Sequence, residues 1–254
     1  MPHETRSNLV ISRLNTRKPT SLIVCTHEDA KTRTQRSSSL KTIAIISQKG
    51  GAGKTTVALH LATAFALSGR NAAIIDLDPQ ASSANWGDRR VSEVPVVLSA
   101  HASRLAHEME RVKETGGDVL VIDTAPHSDS AALEAAKAAD LVLVPCRPAI
   151  LDIEAINNTL GLVSITGTPT FVVMNAVAPQ GTEAIEAAEA VRSLGAEVCP
   201  VALRQRVAFS RALITGQSAQ EHEPMGKAAQ EAASLHAFVC EHMNIPTHEL
   251  MGAA

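Results

Sequence analysis

The sequence predicts an α/β fold in which a mostly parallel central sheet is flanked by helices on both faces. From residue 41 onward, short apolar runs alternate with segments of helical periodicity, which is the pattern of a parallel sheet with crossover helices. A glycine-rich loop separates the first apolar run from the first helical segment. The 254 residues are 45% hydrophobic, which is enough to bury one large core. Residues 41–254 are therefore predicted to form one domain.

Residues 1–40 have a different composition and are predicted to be a flexible basic N-terminal extension. They are rich in Ser and Thr and contain seven Lys or Arg against three Asp or Glu, a local charge of +4 by that count. Two interpretations stay open for this extension. It is either a weak tether to DNA, or a dispensable tail or product of an upstream start.

The bulk composition excludes several classes of protein. A net charge of −3 excludes a globally basic nucleic-acid binder, although it allows a local basic patch. The four cysteines are scattered without metal-ligand spacing, so we expect neither a zinc or iron–sulfur site nor a disulfide framework. No apolar run approaches the roughly 20 residues that a membrane span requires. We therefore expect a cytoplasmic protein.

The strongest motif is a phosphate-binding loop between a strand and a helix. The apolar run 43–46 predicts the strand, the sequence KGGAGKTT follows at once, and residues 57–67 have helical periodicity. Glycines allow successive backbone N–H groups to point at an anionic oxygen, and the positive end of the helix dipole faces the same ligand. Lys54 is expected to reach the β- and γ-phosphates, and the Thr55 hydroxyl to bind Mg²⁺. The predicted nucleotide-binding residues of this loop are Lys49, Gly50, Gly51, Ala52, Gly53, Lys54, Thr55 and Thr56.

Two further motifs place carboxylates at the ends of predicted buried strands. The strand 72–75 delivers Asp76 and Asp78 within the sequence DLDPQ, and two carboxylates at this spacing suggest a site that orients water and metal. Their alternative role is to cap the following helix. The apolar run 119–122 predicts a central parallel strand. Asp123, which ends it, is placed to hold Mg²⁺ through water beside the loop threonine.

The rest of the chain continues the alternation of strands and helices. Further strands are predicted at 94–98, 141–144, 170–174 and 198–201. Further helices are predicted at 104–115, 131–139, 152–164, 185–194 and 225–243. Asp152 is expected to be the N-cap of its helix.

Residues 203–214 contain three arginines close to a predicted helix start. The guanidinium fork donates to two phosphate oxygens at once, so Arg204, Arg206 and Arg211 could contact a DNA backbone. The alternative is that these arginines pair with surface acids such as Glu221 or Glu223. The segment has no repeated alternation of arginines and aromatic residues that would support base stacking, so any contact should be to the duplex backbone.

The motifs KGGAGKTT, DLDPQ and VLVIDTAP stand in the order found in the ParA/MinD family of deviant Walker A ATPases, which the chain resembles from Lys41 to about Met243. The resemblance implies a P-loop ATPase domain that hydrolyses ATP with Mg²⁺ and forms a homodimer around two ATP molecules. In that family, the first lysine of the loop, here Lys49, reaches across the dimer to the partner's ATP.

The resemblance also implies roles for individual residues. The implied catalytic residues are Lys49, Lys54 and Asp78, and Asp78 would position the attacking water. The implied metal-side residues are Thr55, Asp76 and Asp123. Asn175 would contact the adenine, and the backbone around Pro200 would line it.

The implied function is ATP-dependent, nonspecific binding to double-stranded DNA that drives the partition of a plasmid or chromosome. The protein would then be associated with the nucleoid, and a ParB-like centromere-binding protein would stimulate hydrolysis. Residues 241–254 contain no Lys or Arg, unlike the basic amphipathic helix with which MinD-like members bind membranes, so no membrane partner is expected.

Two alternative functions remain open from the sequence. One is a positioning ATPase of the same family, which would place a protein cargo such as a chemoreceptor array or a polysaccharide synthase. The other is a metabolic P-loop enzyme similar to dethiobiotin synthetase, which would phosphorylate a small acid.

Overall fold

The computed structural model describes residues 39–247, so the predicted extension lies outside the described residues except for Ser39 and Leu40. The strands are β1 (Lys41–Ile45), β2 (Ala72–Asp76), β3 (Val96–Ser99), β4 (Val119–Asp123), β5 (Leu141–Cys146), β6 (Thr170–Val177), β7 (Glu197–Val198) and β8 (Leu203–Arg204). The helices are α1 (Lys54–Leu67), α2 (Ser82–Arg89), α3 (Leu105–Glu114), α4 (Asp129–Ala138), α5 (Ile150–Ser164), α6 (Glu183–Ser193), α7 (Val207–Ile214), α8 (Ala219–His222) and α9 (Lys227–His242).

The strands form a central sheet that confirms the predicted α/β fold. Seven of them lie in the order β3-β2-β4-β1-β5-β6-β7, and β8 pairs with β6 outside this path. Every pairing between described strands is parallel. Because β1 lies between β4 and β5, the glycine-rich loop that follows β1 lies beside the carboxyl ends of both neighbours.

Two apolar cores lie on opposite faces of the sheet. Ile43 and Ile45 of β1 belong to one core, whereas Ala44 and the following Ile46 belong to the other, as the alternation of side chains along a strand requires. Helices α1, α7 and α9 contribute to the first core, and α3 to α6 contribute to the second. Both are built largely from Ala, Val, Ile and Leu, because only 2% of the residues are aromatic.

The structure lengthens two predicted strands and shortens a third. Strand β5 continues to Cys146 and β6 to Val177, so Asn175 lies within a strand, where it is paired with Leu203 of β8. The strand predicted at 198–201 is reduced to Glu197–Val198. The helix expected near residue 203 begins only at Val207, because the preceding residues form β8.

The prediction that Asp152 is an N-cap was wrong. Helix α5 begins at Ile150, with Ala149 in the N-cap position. The carbonyl of Ala149 accepts hydrogen bonds from the N–H groups of Asp152 and Ile153, so Asp152 lies inside the first turn. Within residues 39–247, no helix is both long enough and apolar enough to cross a membrane.

Candidate active site

A cleft of about 560 Å³ opens at the carboxyl ends of the parallel strands. The phosphate loop and the start of α1 form one wall, Asp78 and Ser82 a second, and residues of β8 and α7 a third. Ligands of open parallel sheets bind at this edge, because the loops that follow the strands meet there. The fold therefore brings the predicted loop and the DLDPQ segment together.

The loop conformation depends on Gly53, which precedes the first residue of α1. Gly53 has φ 97°, in the left-handed region that side chains disfavour. A Cβ at this position would lie 1.9 Å from Nδ2 of Asn175. Asn175 Nδ2 in turn donates a hydrogen bond to the carbonyl oxygen of Ala52 at 2.7 Å. Asn175 thus supports the loop and also lines the cleft, while its predicted contact with adenine stays a prediction.

The two lysines of the loop have different surroundings. Lys54 is 6% exposed, lines the cleft, and its Nζ lies 3.4 Å from the carbonyl oxygen of Lys49. Burial lowers the pKa of Lys54, and the nearby Asp123 and Asp78 carboxylates oppose that shift. Lys49 is instead one of the residues that line a separate small hollow, together with Asp152. Of the two lysines, only Lys54 is therefore among the residues that line the cleft.

Asp123 connects the phosphate loop to the segment after DLDPQ. It is fully buried, and its Oδ2 accepts hydrogen bonds from Thr55 Oγ1 at 2.8 Å and from Ser83 Oγ at 2.7 Å. Its Oδ1 is buried and has no hydrogen-bond partner among residues 39–247. Burial raises the pKa of Asp123 to about 7, although the hydrogen bonds from Ser83 and Thr55 lower it.

These residues fit the predicted Mg²⁺. A buried carboxylate oxygen without a partner, next to a threonine hydroxyl, is the kind of hard oxygen donor that this ion prefers. No group of three or more His, Cys, Asp or Glu side chains in the described part of the chain could hold a metal.

Asp76 and Asp78 have different environments despite their close spacing. Asp76 is fully buried, and its two oxygens accept the backbone N–H groups of Asp78 and Ala84, each at 3.0 Å. Burial raises its pKa, and these hydrogen bonds oppose the rise. Asp78 is half-buried and lines the cleft, with Oδ1 accepting the N–H of Gln80 at 2.9 Å. Asp76 therefore fixes the segment from which Asp78 projects.

Ser83 is a site residue that the sequence did not single out. Its hydroxyl reaches Asp123 from α2, so α2 and the phosphate loop hold the same carboxylate oxygen. The sequence shows only that Ser83 closely follows DLDPQ, and small residues are common at helix starts. Only the tertiary contact shows its partner.

Of the two positions predicted to surround the adenine, the structure places Asn175 but not Pro200 among the residues that line the cleft. Pro200 is exposed and is not among the residues that line the cleft, whereas Ala176 and Gln205 are. The reason is that β7 ends at Val198 on the edge of the sheet, and the chain returns to the cleft only at β8.

The three predicted DNA-binding arginines do not form one free basic face. Glu231 of α9 forms ion pairs with Arg206, with Nη2 and Oε1 2.6 Å apart, and with Arg204, with Nη1 and Oε1 3.7 Å apart. Both arginines line the cleft, whereas Arg211 is exposed on α7 outside it. This agrees with the predicted alternative of pairing with surface acids, and the acid is Glu231, since Glu221 pairs with Arg90.

The parallel sheet, the glycine loop and the Thr55–Asp123 contact define a P-loop nucleotide-binding protein. A family model described as the CobQ/CobB/MinD/ParA nucleotide binding domain matches residues 43–219. The chain belongs to this family, and it is therefore a ParA/MinD-type ATPase.

Individual relatives agree with this assignment. The chain is 34% identical over 209 residues to the Maintenance of carboxysome distribution protein A of Gloeobacter kilaueensis, covering 80% of this chain and 94% of the relative. It is 28% identical over 163 residues to the Chromosome partitioning protein ParA of Caulobacter vibrioides, covering 48% and 61% respectively. The fold matches the McdA–ATP complex of Cyanothece with a TM-score of 0.65 at 17% identity, over 82% of this chain and 98% of that one.

Proposed function

We propose that this protein is an ATP-dependent dimerising ATPase that binds DNA nonspecifically and uses it as a track to position a protein-based cargo. The observation that carries the proposal is the 34% identity to a carboxysome distribution protein over 94% of that protein's length. It is supported by a cleft that contains the loop lysine, the Thr55–Asp123 contact and Asp78. The cargo is therefore proposed to be a carboxysome or a similar large protein assembly.

Different residues of the cleft have different roles in ATP hydrolysis. The backbone N–H groups of the loop and Lys54 bind the phosphates, and Asn175 keeps the loop in position through Ala52. Asp78, held by the N–H of Gln80, orients the attacking water through its remaining carboxylate oxygen. Thr55 and Asp123 would hold Mg²⁺, which neutralises developing charge on the phosphates when bound.

We assign dimerisation to Lys49, because it is not among the residues that line the cleft. A second lysine that does not line the cleft has no use in a monomeric phosphate cradle. Contact with the ATP of a partner protomer gives it one, as the family resemblance implies. Hydrolysis would then require two protomers.

DNA contact is proposed to rest first on Arg211, which is exposed and lies outside the Glu231 cluster. Arg204 and Arg206 line the nucleotide cleft and are partly neutralised, so their contribution would depend on the state of that cleft. This arrangement favours contact with phosphates without sequence reading, and it would place the protein on the nucleoid.

A nucleotide and salt titration of DNA binding tests the proposal. We expect the Asp78→Ala protein to bind random duplex DNA with ATP and far less with ADP or without nucleotide, with an affinity that falls steeply with salt. Arg211→Ala should weaken binding, while Arg192→Ala, which removes an exposed arginine from α6, should not. Equal affinity with ATP, with ADP and without nucleotide would remove the mechanism.

Partition of a plasmid or chromosome with a ParB-like partner is the second candidate function, and the likeness to the Caulobacter partitioning protein favours it. The two candidates share every site residue and differ in cargo. Deleting the gene distinguishes the two functions. If the protein positions a protein cargo, the protein assemblies should cluster while plasmids are retained normally. If it partitions DNA, the replicon should be lost.

A further inference from the structure

Arg147 directly follows strand β5 and lies beside the phosphate loop. Strand β5, which ends at Cys146, is buried along its whole length and is paired with β1 on one side and β6 on the other. Leu143 is in register with Ile45, so the chain that leaves β5 runs next to the loop that leaves β1. The carbonyl oxygen of Arg147 accepts the N–H of Ala149 at 2.8 Å, which fixes the backbone at this turn.

The side chain of Arg147 extends over the phosphate loop. Its guanidinium lines the cleft, and a Cβ added at Gly51 would lie 3.5 Å from its Nη2. Gly51 precedes Lys54 by three residues and belongs to the stretch whose N–H groups face the phosphates. The guanidinium therefore lies beside the loop at Gly51.

Among the described residues, Arg147 is the arginine of the cleft wall whose charge is not paired with a carboxylate. Arg204 and Arg206, which line the same cleft, both pair with Glu231. Among residues 39–247, the guanidinium of Arg147 has neither a hydrogen bond nor an ion pair, and only its backbone carbonyl is engaged. A planar fork with five free donors at the edge of a phosphate cradle matches a phosphate group in both charge and geometry.

We propose that the Arg147 guanidinium binds the terminal phosphates of the ATP held by the same protomer, as a phosphate contact additional to Lys54. The inference rests on the proposed use of this cleft for ATP. It assigns Arg147 to the γ-phosphate side of the loop, where an arginine both increases affinity for the triphosphate and stabilises charge that develops during its transfer.

Equilibrium binding of nucleotides to Arg147→Ala tests the proposal. The probe is a fluorescent ATP analogue with a non-hydrolysable β–γ linkage, with ADP and AMP as competitors. We expect affinity for the analogue to fall by about 10- to 100-fold, the value of a charge-assisted hydrogen bond. Affinity for AMP should be unchanged, because AMP has no terminal phosphate. Arg147→Lys should restore part of the loss, since an ammonium keeps the charge without the fork.

Two controls separate this role from a structural one. Arg192→Ala, an exposed arginine on α6, should bind like the wild type. The melting temperature of ligand-free Arg147→Ala should equal that of the wild type, whereas its rise on adding the analogue should be smaller. Equal affinity of wild type and Arg147→Ala for the analogue would overturn the assignment.

Measuring the loss of affinity at several protein concentrations shows whether Arg147 contacts the ATP of its own protomer or that of a partner protomer. A loss of affinity that is the same at all concentrations supports contact within one protomer. A loss seen only where dimers form would show that the contact comes from the partner and would overturn the assignment. If the wild type itself failed to bind the analogue, the proposed function would fall together with this inference, an outcome distinct from equal binding by both proteins.

Discussion

His60 is a buried histidine on α1, one turn after the phosphate loop. It is 1% exposed, its Nδ1 lies 2.7 Å from the carbonyl oxygen of Thr56, and its ring packs edge-on against Phe209 of α7. Burial lowers its pKa from 6.5 to about 4, although the Thr56 carbonyl and the charge of Glu221 raise it. His60 is therefore neutral in the folded protein above about pH 4.

This burial predicts a pH-dependent cost in stability. Between pH 6.5 and pH 4 the unfolded chain protonates His60 whereas the folded protein does not, so the histidine destabilises the fold as the pH falls through that window. The free energy of unfolding of wild type should fall relative to His60→Gln by about 3 kcal/mol between pH 7.5 and pH 4. Urea unfolding of both proteins at each pH measures this difference. A difference that does not change with pH would contradict the burial of a neutral histidine.

The wild type must be compared with His60→Gln because Asp123 changes the stability with pH in the opposite direction. Its folded-state pKa is raised to about 7, so between pH 3.8 and pH 7 the folded protein binds more protons there than the unfolded chain does. The contribution of Asp123 to stability therefore falls as the pH rises through this window. The pH profile of the wild type alone would combine the two effects.

Helix α2 is anchored to the segment that links α7 to α8. Arg90, whose side chain is 2% exposed, donates to both oxygens of Glu221, at 3.0 and 2.8 Å, and to the carbonyl of Gly216 at 2.9 Å. Its guanidinium also lies 4.3 Å from the ring centroid of Trp86, whose Nε1 donates to the carbonyl of Gln217. Ser83 at the other end of α2 reaches Asp123, so this anchor helps to fix one side of the active site.

The anchor predicts a large loss of stability when one partner is removed. Burial raises the pKa of Glu221, but the hydrogen bonds from Arg90 and the Ser218 N–H bring it below its ordinary value, so the pair is ionised. Arg90→Ala leaves the Glu221 carboxylate half-buried without its cation and should cost about 3–5 kcal/mol in urea unfolding. Lys137→Ala breaks an exposed pair with Glu134 and should cost less than about 1 kcal/mol. Similar small costs for both variants would show that Arg90 does not anchor α2.

At the scale of the whole molecule, the sequence predicted seven of the eight strands, the helices between them other than α2 and α8, and the meeting of two motifs at one edge of the sheet. It could do so because strand and helix periodicity, glycine turns and terminal carboxylates are local features, and parallel strands bring their carboxyl ends together. Asp123 and Thr55 are in contact, as these rules required.

Contacts that helix side chains make with other segments could not be predicted from the sequence. Ser83 meets Asp123 from 40 residues away, and Glu231 meets Arg206 from 25 residues away, because helices pack on the sheet in ways that periodicity does not specify. Pro200 was expected beside the adenine because of the family resemblance, and it is not among the residues that line the cleft. Its place depends on the length of an edge strand that forms only two paired residues.

For the whole molecule, we propose that ATP converts a monomer into a dimer through Lys49. Sedimentation velocity of the Asp78→Ala protein tests it most directly, because removing the water-orienting carboxylate should preserve ATP binding while preventing turnover. We expect a monomer without nucleotide and with ADP, and a dimer with ATP. Adding Lys49→Ala should leave ATP binding intact but shift dimer formation to higher protein concentration. A sedimentation coefficient that is the same in all nucleotide states, or a dimer unaffected by the loss of Lys49, would contradict the claim.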